Sequence, residues 1–314
     1  MVFVLMGLID FILNLAGLLV WLNWRSARFD PLGKRTPATL IGTLRRAEPQ
    51  RWRRYHLLAM LGGLLLLRAL FYWKIGSAAN WAGKLDLGVI VLSFPSNLSG
   101  PLSSLLRILL YSIFSFGLTL GVFYLWLLLL SILAGPEPVH RLVRMQLGVI
   151  DRWPCGLKFL LPLVATGLLW WLTSWPLAWL AIVPHPVSAA HRIEEALVIG
   201  LGSYPAWKYV AGALLALHLL NSFIFFGKHP MWNYVNVAAQ TLLRPVRAVL
   251  LALGRAWSSL LPRTSPLRVE NMNFSPALKI ALTLLLDVVG IVLVFLLAAL
   301  VEWGLDACYA RLPL

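Results

Sequence analysis

Apolar residues run along the chain in six long stretches, roughly 2–24, 55–73, 107–134, 158–183, 207–227 and 277–302. Each approaches the ~20 residues that a helix needs to cross hydrocarbon. Backbone amides in lipid must pair within their own segment, so the pattern predicts membrane-spanning helices rather than strands. Lys and Arg then alternate between the connections. The segments 25–54, 135–158 and 228–275 hold nine, four and six of them, whereas 74–106, 184–206 and 304–314 hold two, one and one. Short loops rich in Lys and Arg stay cytoplasmic, which predicts an outward position for both termini.

The connections carry patterns of their own. Pro37 to Glu48 and Pro230 to Trp257 place apolar residues at helical spacing beside Arg45 and Arg46 in the first, and Arg244, Arg247 and Arg255 in the second. Such amphipathic segments lie in the headgroup plane with Arg directed at phosphates. Pro245 interrupts the second and predicts two short helices there. On the outward side, Lys84 to Phe94 alternates with a period of two and is rich in β-branched residues, predicting a strand or hairpin at the membrane surface.

Composition sharpens this picture. With 60% hydrophobic and 12% charged residues and a mean hydropathy of +0.80, the 314-residue chain has too little polar surface for a soluble protein of its size. The net charge of +15 sits at helix ends and in connections, so anionic phospholipid is the expected partner and nucleic acid the weaker reading. Trp21, Trp24, Trp73, Trp170, Trp171, Trp175, Trp179, Trp207 and Trp303 fall near span ends, as interfacial indoles do. The first stretch lacks a basic leading region and a small-residue cleavage site, and is expected to remain as a helix. Cys155 and Cys308 fall on opposite faces of this topology, which excludes a disulfide between them.

Two regions repeat one order of features: helix, Gly-x-x-Pro, amphipathic segment, Pro, Leu-Pro, helix. The first runs from the span ending at Ala134 through Gly135 to Pro154 and Leu161-Pro162. The second runs from the span ending at Phe226 through Gly227 to Pro245, then Leu261-Pro262 and Ser275-Pro276. With its Leu-Leu-Arg-Pro (Leu242 to Pro245), Leu-Pro turn and Asn-Phe-Ser-Pro (Asn273 to Pro276), the second unit resembles the YggT (YlmG) domain over about 209–300. The likeness is fainter over about 114–183. Residues 1–106, with the basic segment and the strand-like stretch, lie outside it, and the insert Leu261 to Met272 is longer than the family's turn. The organisation expected is therefore 1–106 as a two-helix region, 107–183 and 207–303 as two YggT-like units, and 304–314 as an outward tail. The resemblance implies a small bacterial or plastid membrane protein connected with cell division, osmotic tolerance, nucleoid distribution or cytochrome complex assembly, with no established enzymatic activity or cofactor.

Nothing in the sequence demands catalysis. Cys-x-x-Cys, His-Glu-x-x-His, Gly-x-Ser-x-Gly and a phosphate-binding Gly-rich loop are all missing, so no catalytic, cofactor or metal residue is assigned. His185 and His191 with Glu194 or Glu195 share an outward loop, but spacing alone does not give a metal site. Polar residues within spans are more informative, because an ionisable group in hydrocarbon normally faces a partner or cavity. Asp287 lies in the last span, His218 and Asn221 share a face of the fifth, and Asp10 and Asn14 share a face of the first. These five form the candidate intramembrane polar cluster. An approach of Asp287 to His218 would make a proton-relay or cation site. Arg68 is expected to snorkel to the outward interface. Gly117 and Gly121 mark an expected packing seam, within the bundle or with another subunit.

The fold expected is an all-α polytopic membrane helix bundle of about six spans, with interfacial amphipathic helices and a short outward strand or hairpin. The function expected is a structural or assembly protein of the inner membrane, whose Arg-bearing cytoplasmic segments contact anionic lipid, another membrane protein or a second copy. The alternative is a proton- or ion-coupled transporter or channel using Asp287, His218 and Asn221; its two related halves favour that reading, although they are parallel rather than inverted copies.

Overall fold

The structure, a computed structural model, describes residues 2–26, 54–79, 81–95, 101–133, 139–184, 188–224, 230–260 and 276–310. Nine α-helices are present among them: α1 (Val2–Ser26), α2 (Arg54–Ala79), α3 (Pro101–Leu133), α4 (Val139–Leu147), α5 (Cys155–Trp179), α6 (Ala189–Leu201), α7 (Trp207–Phe223), α8 (Pro230–Leu260) and α9 (Pro276–Tyr309). Two strands, β1 (Ala82–Asp86) and β2 (Val91–Pro95), form the described sheet. Five of the helices, α1, α2, α3, α5 and α9, are long and apolar enough to cross a membrane. The chain is an all-α, multi-pass membrane protein.

The expected fifth span appears as α7, with 17 residues, the short end of what crosses hydrocarbon. It stops where Ile224 takes an extended backbone (φ −121°, ψ 118°). The chain divides into two compact units, one of residues 1–124 and 169–193, the other of 125–168 and 194–313.

In the first unit α1 packs on α2, and Val20, Leu57, Leu61 and Phe116 form a shared core. Gly17 allows this approach, because a Cβ there would sit 2.8 Å from the Phe116 ring. The hairpin is antiparallel, with Gly83 opposite Phe94 and Leu85 opposite Leu92, and these four residues make its buried face. Period-two alternation thus reports one covered face. The turn is fixed by Gly88, at φ 88°, whose N–H donates to Asp86 Oδ1 at 2.8 Å. Trp81 and Phe94 meet Tyr111 edge to face, and Gly83 lies so close to that ring that a Cβ would come within 2.7 Å.

In the second unit α7 and α9 run antiparallel, tied by Lys208 Nζ donating to Glu302 Oε1 at 2.6 Å and by Gly212 meeting Phe295. The first half of α8 is packed against them. Tyr234, Val235, Ala238, Ala239 and Leu243 are buried among Leu129, Leu133, Ala211, Leu214 and Leu215. Burial pushes the Tyr234 phenol up to about 12, and its O–H donates to the Leu130 carbonyl at 3.1 Å. The apolar face of this amphipathic segment therefore covers other helices. Pro245 does not divide it: α8 continues to Leu260 with Pro245 inside. Proline there removes one amide donor, and packing of the preceding turns, from Tyr234 to Leu243, holds the helix on its N-terminal side.

Two further expectations change. Gly117 and Gly121 have nothing within 4 Å of a Cβ at either, so they make no seam among the described residues. The close helix approach lies elsewhere: a Cβ on Gly200 of α6 would meet the Leu163 carbonyl oxygen of α5 at 2.7 Å, and one on Gly167 would meet that of Ala196 at 2.9 Å. Among the Trp residues, Trp175, Trp179 and Trp303 are exposed as interfacial anchors are, whereas Trp170 is buried. Trp126 donates to the Ala206 carbonyl and Trp207 to that of Leu125, each at 3.0 Å, so these indoles link helices. Cys155 and Cys308 are free and exposed.

Candidate functional site

The five residues of the expected intramembrane cluster fall into three constellations. In the first unit, Asp10 and Asn14 of α1 converge on Arg68 of α2 and Ser115 of α3. Arg68 Nη1 donates to Asn14 Oδ1 at 2.7 Å, and Nη2 donates to Ser115 Oγ at 2.7 Å and to Asp10 Oδ1. Ser115 Oγ donates to Asp10 Oδ2 at 3.1 Å, the Asn14 amide donates to Ser115 Oγ at 3.1 Å, and Tyr72 O–H donates to Asp10 Oδ1 at 3.0 Å. The guanidinium also lies 5.7 and 5.6 Å from the ring centres of Tyr72 and Tyr111. Arg68 does not snorkel. Its side chain is 1% exposed and Asp10's 21%, because a carboxylate one helix away neutralises the charge in place.

The spacing that puts Asp10 and Asn14 on one face makes this network possible. The sequence reading missed Arg68, Tyr72 and Ser115 as its partners. Tyr72 and Tyr111 also belong to the aromatic group on which the hairpin rests, with Tyr72 4.8 Å from Trp81.

In the second unit, His218 Nδ1 of α7 lies 2.9 Å from Asp287 Oδ2 of α9. Their side chains are 12% and 2% exposed, and about 22 Å of helix separates Asp287 from Glu302 along α9. This approach of the two residues is the one the sequence reading required for a relay. Which of the two donates depends on the imidazole tautomer. Asn221 does not join them: its amide donates to Asn236 Oδ1 on α8 at 3.1 Å. The two contacts bind α7 to α9 and α7 to α8.

A further centre, unforeseen in the sequence, lies in the connection from α3 to α5. Asp151 occupies the 3-10 turn Gly148–Arg152 and is buried. Ser131 Oγ donates to its Oδ1 at 2.6 Å and Arg144 Nε to its Oδ2 at 3.1 Å, while His140 Nε2 lies 3.3 Å from Oδ2 and Lys158 Nζ 3.8 Å from Oδ1. Lys158 also donates to Ser131 Oγ at 2.8 Å. Burial pushes the Asp151 carboxyl up, but the hydrogen bonds from Ser131 and Arg144 and the charges of His140 and Lys158 outweigh it and hold it below the usual carboxylate range. A lysine beside a serine hydroxyl is a known way to activate a nucleophile. Here Ser131 is 3% exposed and its proton points at Asp151, so the group reads as a structural network. One acid within a basic connection, facing a Ser at a span end, was the available signal.

Of the Arg residues expected to contact lipid or a partner, Arg244 is exposed and Arg247 half-buried on α8. Arg45, Arg46 and the Arg255 side chain lie outside the described residues, as does His185 of the outward metal candidate. Compared with protein families, curated proteins and solved structures, the chain matches none of them.

Proposed function

We propose that this multi-pass protein is a structural or assembly component of a bacterial inner membrane, of the YggT type, with both termini periplasmic and no enzymatic activity or cofactor. Its cytoplasmic Arg-bearing surface holds anionic phospholipid and docks another membrane protein or a second copy. One observation carries the reading: the buried ionic groups within spans are engaged with side chains of neighbouring helices. Arg68 is met by Asp10, Asn14 and Ser115, and Asp287 by His218. Such contacts fix packing, typically at about 0.6 to 2 kcal/mol each. Within each unit they hold helices together, and exposed Arg244 gives the second unit a charged edge.

A second reading, a proton- or ion-coupled transporter or channel, draws support from the His218–Asp287 pair, since an imidazole beside a buried carboxyl within spans is a common proton-carrying arrangement. Reconstituted protein separates the two. Under the assembly reading, Asp287→Asn leaves proton flux unchanged, and replacing Arg244, Arg247 and Arg255 by Gln removes a co-purifying partner. Flux that depends on Asp287, at normal protein abundance, would establish the transporter instead.

A further inference from the structure

We infer that the Asp151 centre holds the phosphate of an anionic phospholipid, with Arg144 as the contacting group. This deepens the proposed lipid-binding surface and rests on the reading that the α3–α5 connection faces the cytoplasmic leaflet.

Charge is the first argument. Asp151 offers one negative charge to Arg144, Lys158 and His140 together. Lys158 is nearly buried, at 8% side-chain exposure, and with Ser131 it occupies the Oδ1 side of the carboxylate. Arg144 and His140 share Oδ2, and Arg144 and Lys158 alone bring two positive charges to one carboxylate among the described residues. The sequence of the connection carries the same sign. Across 135–158, Arg141, Arg144, Arg152 and Lys158 face only Glu137 and Asp151 in the sequence, before His140 is counted.

Geometry is the second. Arg144 uses only Nε toward Asp151, and its side chain is 53% exposed. Among the described residues its Nη atoms have no ion-pair partner, which leaves them for the paired N–H contacts that suit a phosphate. His140 Nδ1 is buried without a hydrogen-bond partner among the described residues, a second polar atom that Asp151 leaves unused.

The surroundings favour a lipid over a free anion. Val149 precedes Asp151 in the same turn at 73% exposure, and Leu157, beside Lys158, is 50% exposed. An amphiphile would place its headgroup on Arg144 and cover these apolar side chains with its acyl chains. Inorganic phosphate would leave them uncovered.

The test uses full-length protein, delipidated in neutral detergent and titrated with phosphatidylglycerol or phosphatidylcholine while bound lipid is counted by native mass spectrometry. Phosphatidylglycerol is expected to bind, and Arg144→Gln to weaken that binding about tenfold, the effect of losing a charge-assisted contact. Arg144→Lys, which retains the charge and supports folding, should weaken it less. Equal binding by wild type and Arg144→Gln, or equal binding of phosphatidylcholine, overturns the inference. Displacement of the lipid by millimolar inorganic phosphate would assign the site to a free anion and overturn it likewise. Sidedness is measured separately: in a Cys308→Ser variant, Cys155, which is exposed, should resist impermeant thiol reagents added to intact cells. Labelling from outside would sink the cytoplasmic assignment, whereas failure of the lipid titration alone would sink only this site.

Discussion

His218 and Asp287 meet across α7 and α9 with Nδ1 and Oδ2 2.9 Å apart, and the Asp287 side chain is only 2% exposed. Little of either side chain reaches the surface. His218→Leu should therefore strand the carboxylate and lower stability by about 3 to 5 kcal/mol, as breaking a buried pair does. Asp287→Asn, which still accepts from the imidazole, should cost less. The double variant His218→Leu with Asp287→Leu should recover most of the loss, because two apolar side chains replace two buried polar ones. Thermal unfolding in detergent gives all the values. A double-variant loss equal to the sum of the losses in His218→Leu and Asp287→Leu alone would mean that the two residues are not coupled.

The Arg68 network predicts an asymmetry. Arg68 is 1% exposed and Asp10 21%. Removing Asp10 leaves a fully enclosed guanidinium with only neutral partners, Asn14 and Ser115. Removing Arg68 leaves a carboxylate that still accepts from Tyr72 and Ser115 and reaches solvent or headgroups. Asp10→Asn should thus cost about 1 kcal/mol more than Arg68→Gln. The reverse order in thermal unfolding would show that Asp10, not Arg68, carries the larger burial penalty.

Helix contacts give a paired test. The Leu163 carbonyl that a Cβ on Gly200 would strike is backbone and cannot rotate aside, so Gly200→Ala should cost about 1 to 3 kcal/mol. Gly117→Ala meets open space and exchanges a poor helix former for the best, so it should be neutral or raise stability by up to about 1 kcal/mol. If Gly117→Ala is the damaging variant, position 117 is covered by a second copy or a partner in the membrane.

How far the sequence could reach follows from these residues. Spans were readable because hydropathy is summed over many positions, and the hairpin because a strand with one covered face alternates. Asp287 and His218 could be matched because ionisable groups are rare in spans. Arg68 was misread, since an Arg near a span end looks the same whether it snorkels or is paired, and only the third dimension brings Asp10 to it. Gly117 and Gly200 differ in what stands opposite them, which a small-residue pattern does not encode. Asp151 was invisible for the same reason: Ser131, Arg144 and Lys158 come together only when α3, α4 and α5 fold back on one another.

That centre carries the pH dependence. A carboxyl held below its unfolded value stabilises the fold at every pH above the ordinary carboxylate range, and the contribution disappears as pH falls through the depressed folded value. At neutral pH, Asp151→Asn keeps the Ser131 hydrogen bond but leaves buried Lys158 and its neighbours without a counter-charge, at an expected cost of about 3 kcal/mol. Between about pH 5 and pH 3, below the imidazole range, the unfolded chain's Asp151 takes up its proton while the folded carboxyl, held lower, resists it. The wild type should then lose stability faster than the variant, and the gap between them should narrow with each step toward acid. Thermal unfolding of both proteins across that window decides the matter: a gap that stays constant, or widens, would mean that the cations around Asp151 do not hold its carboxyl down.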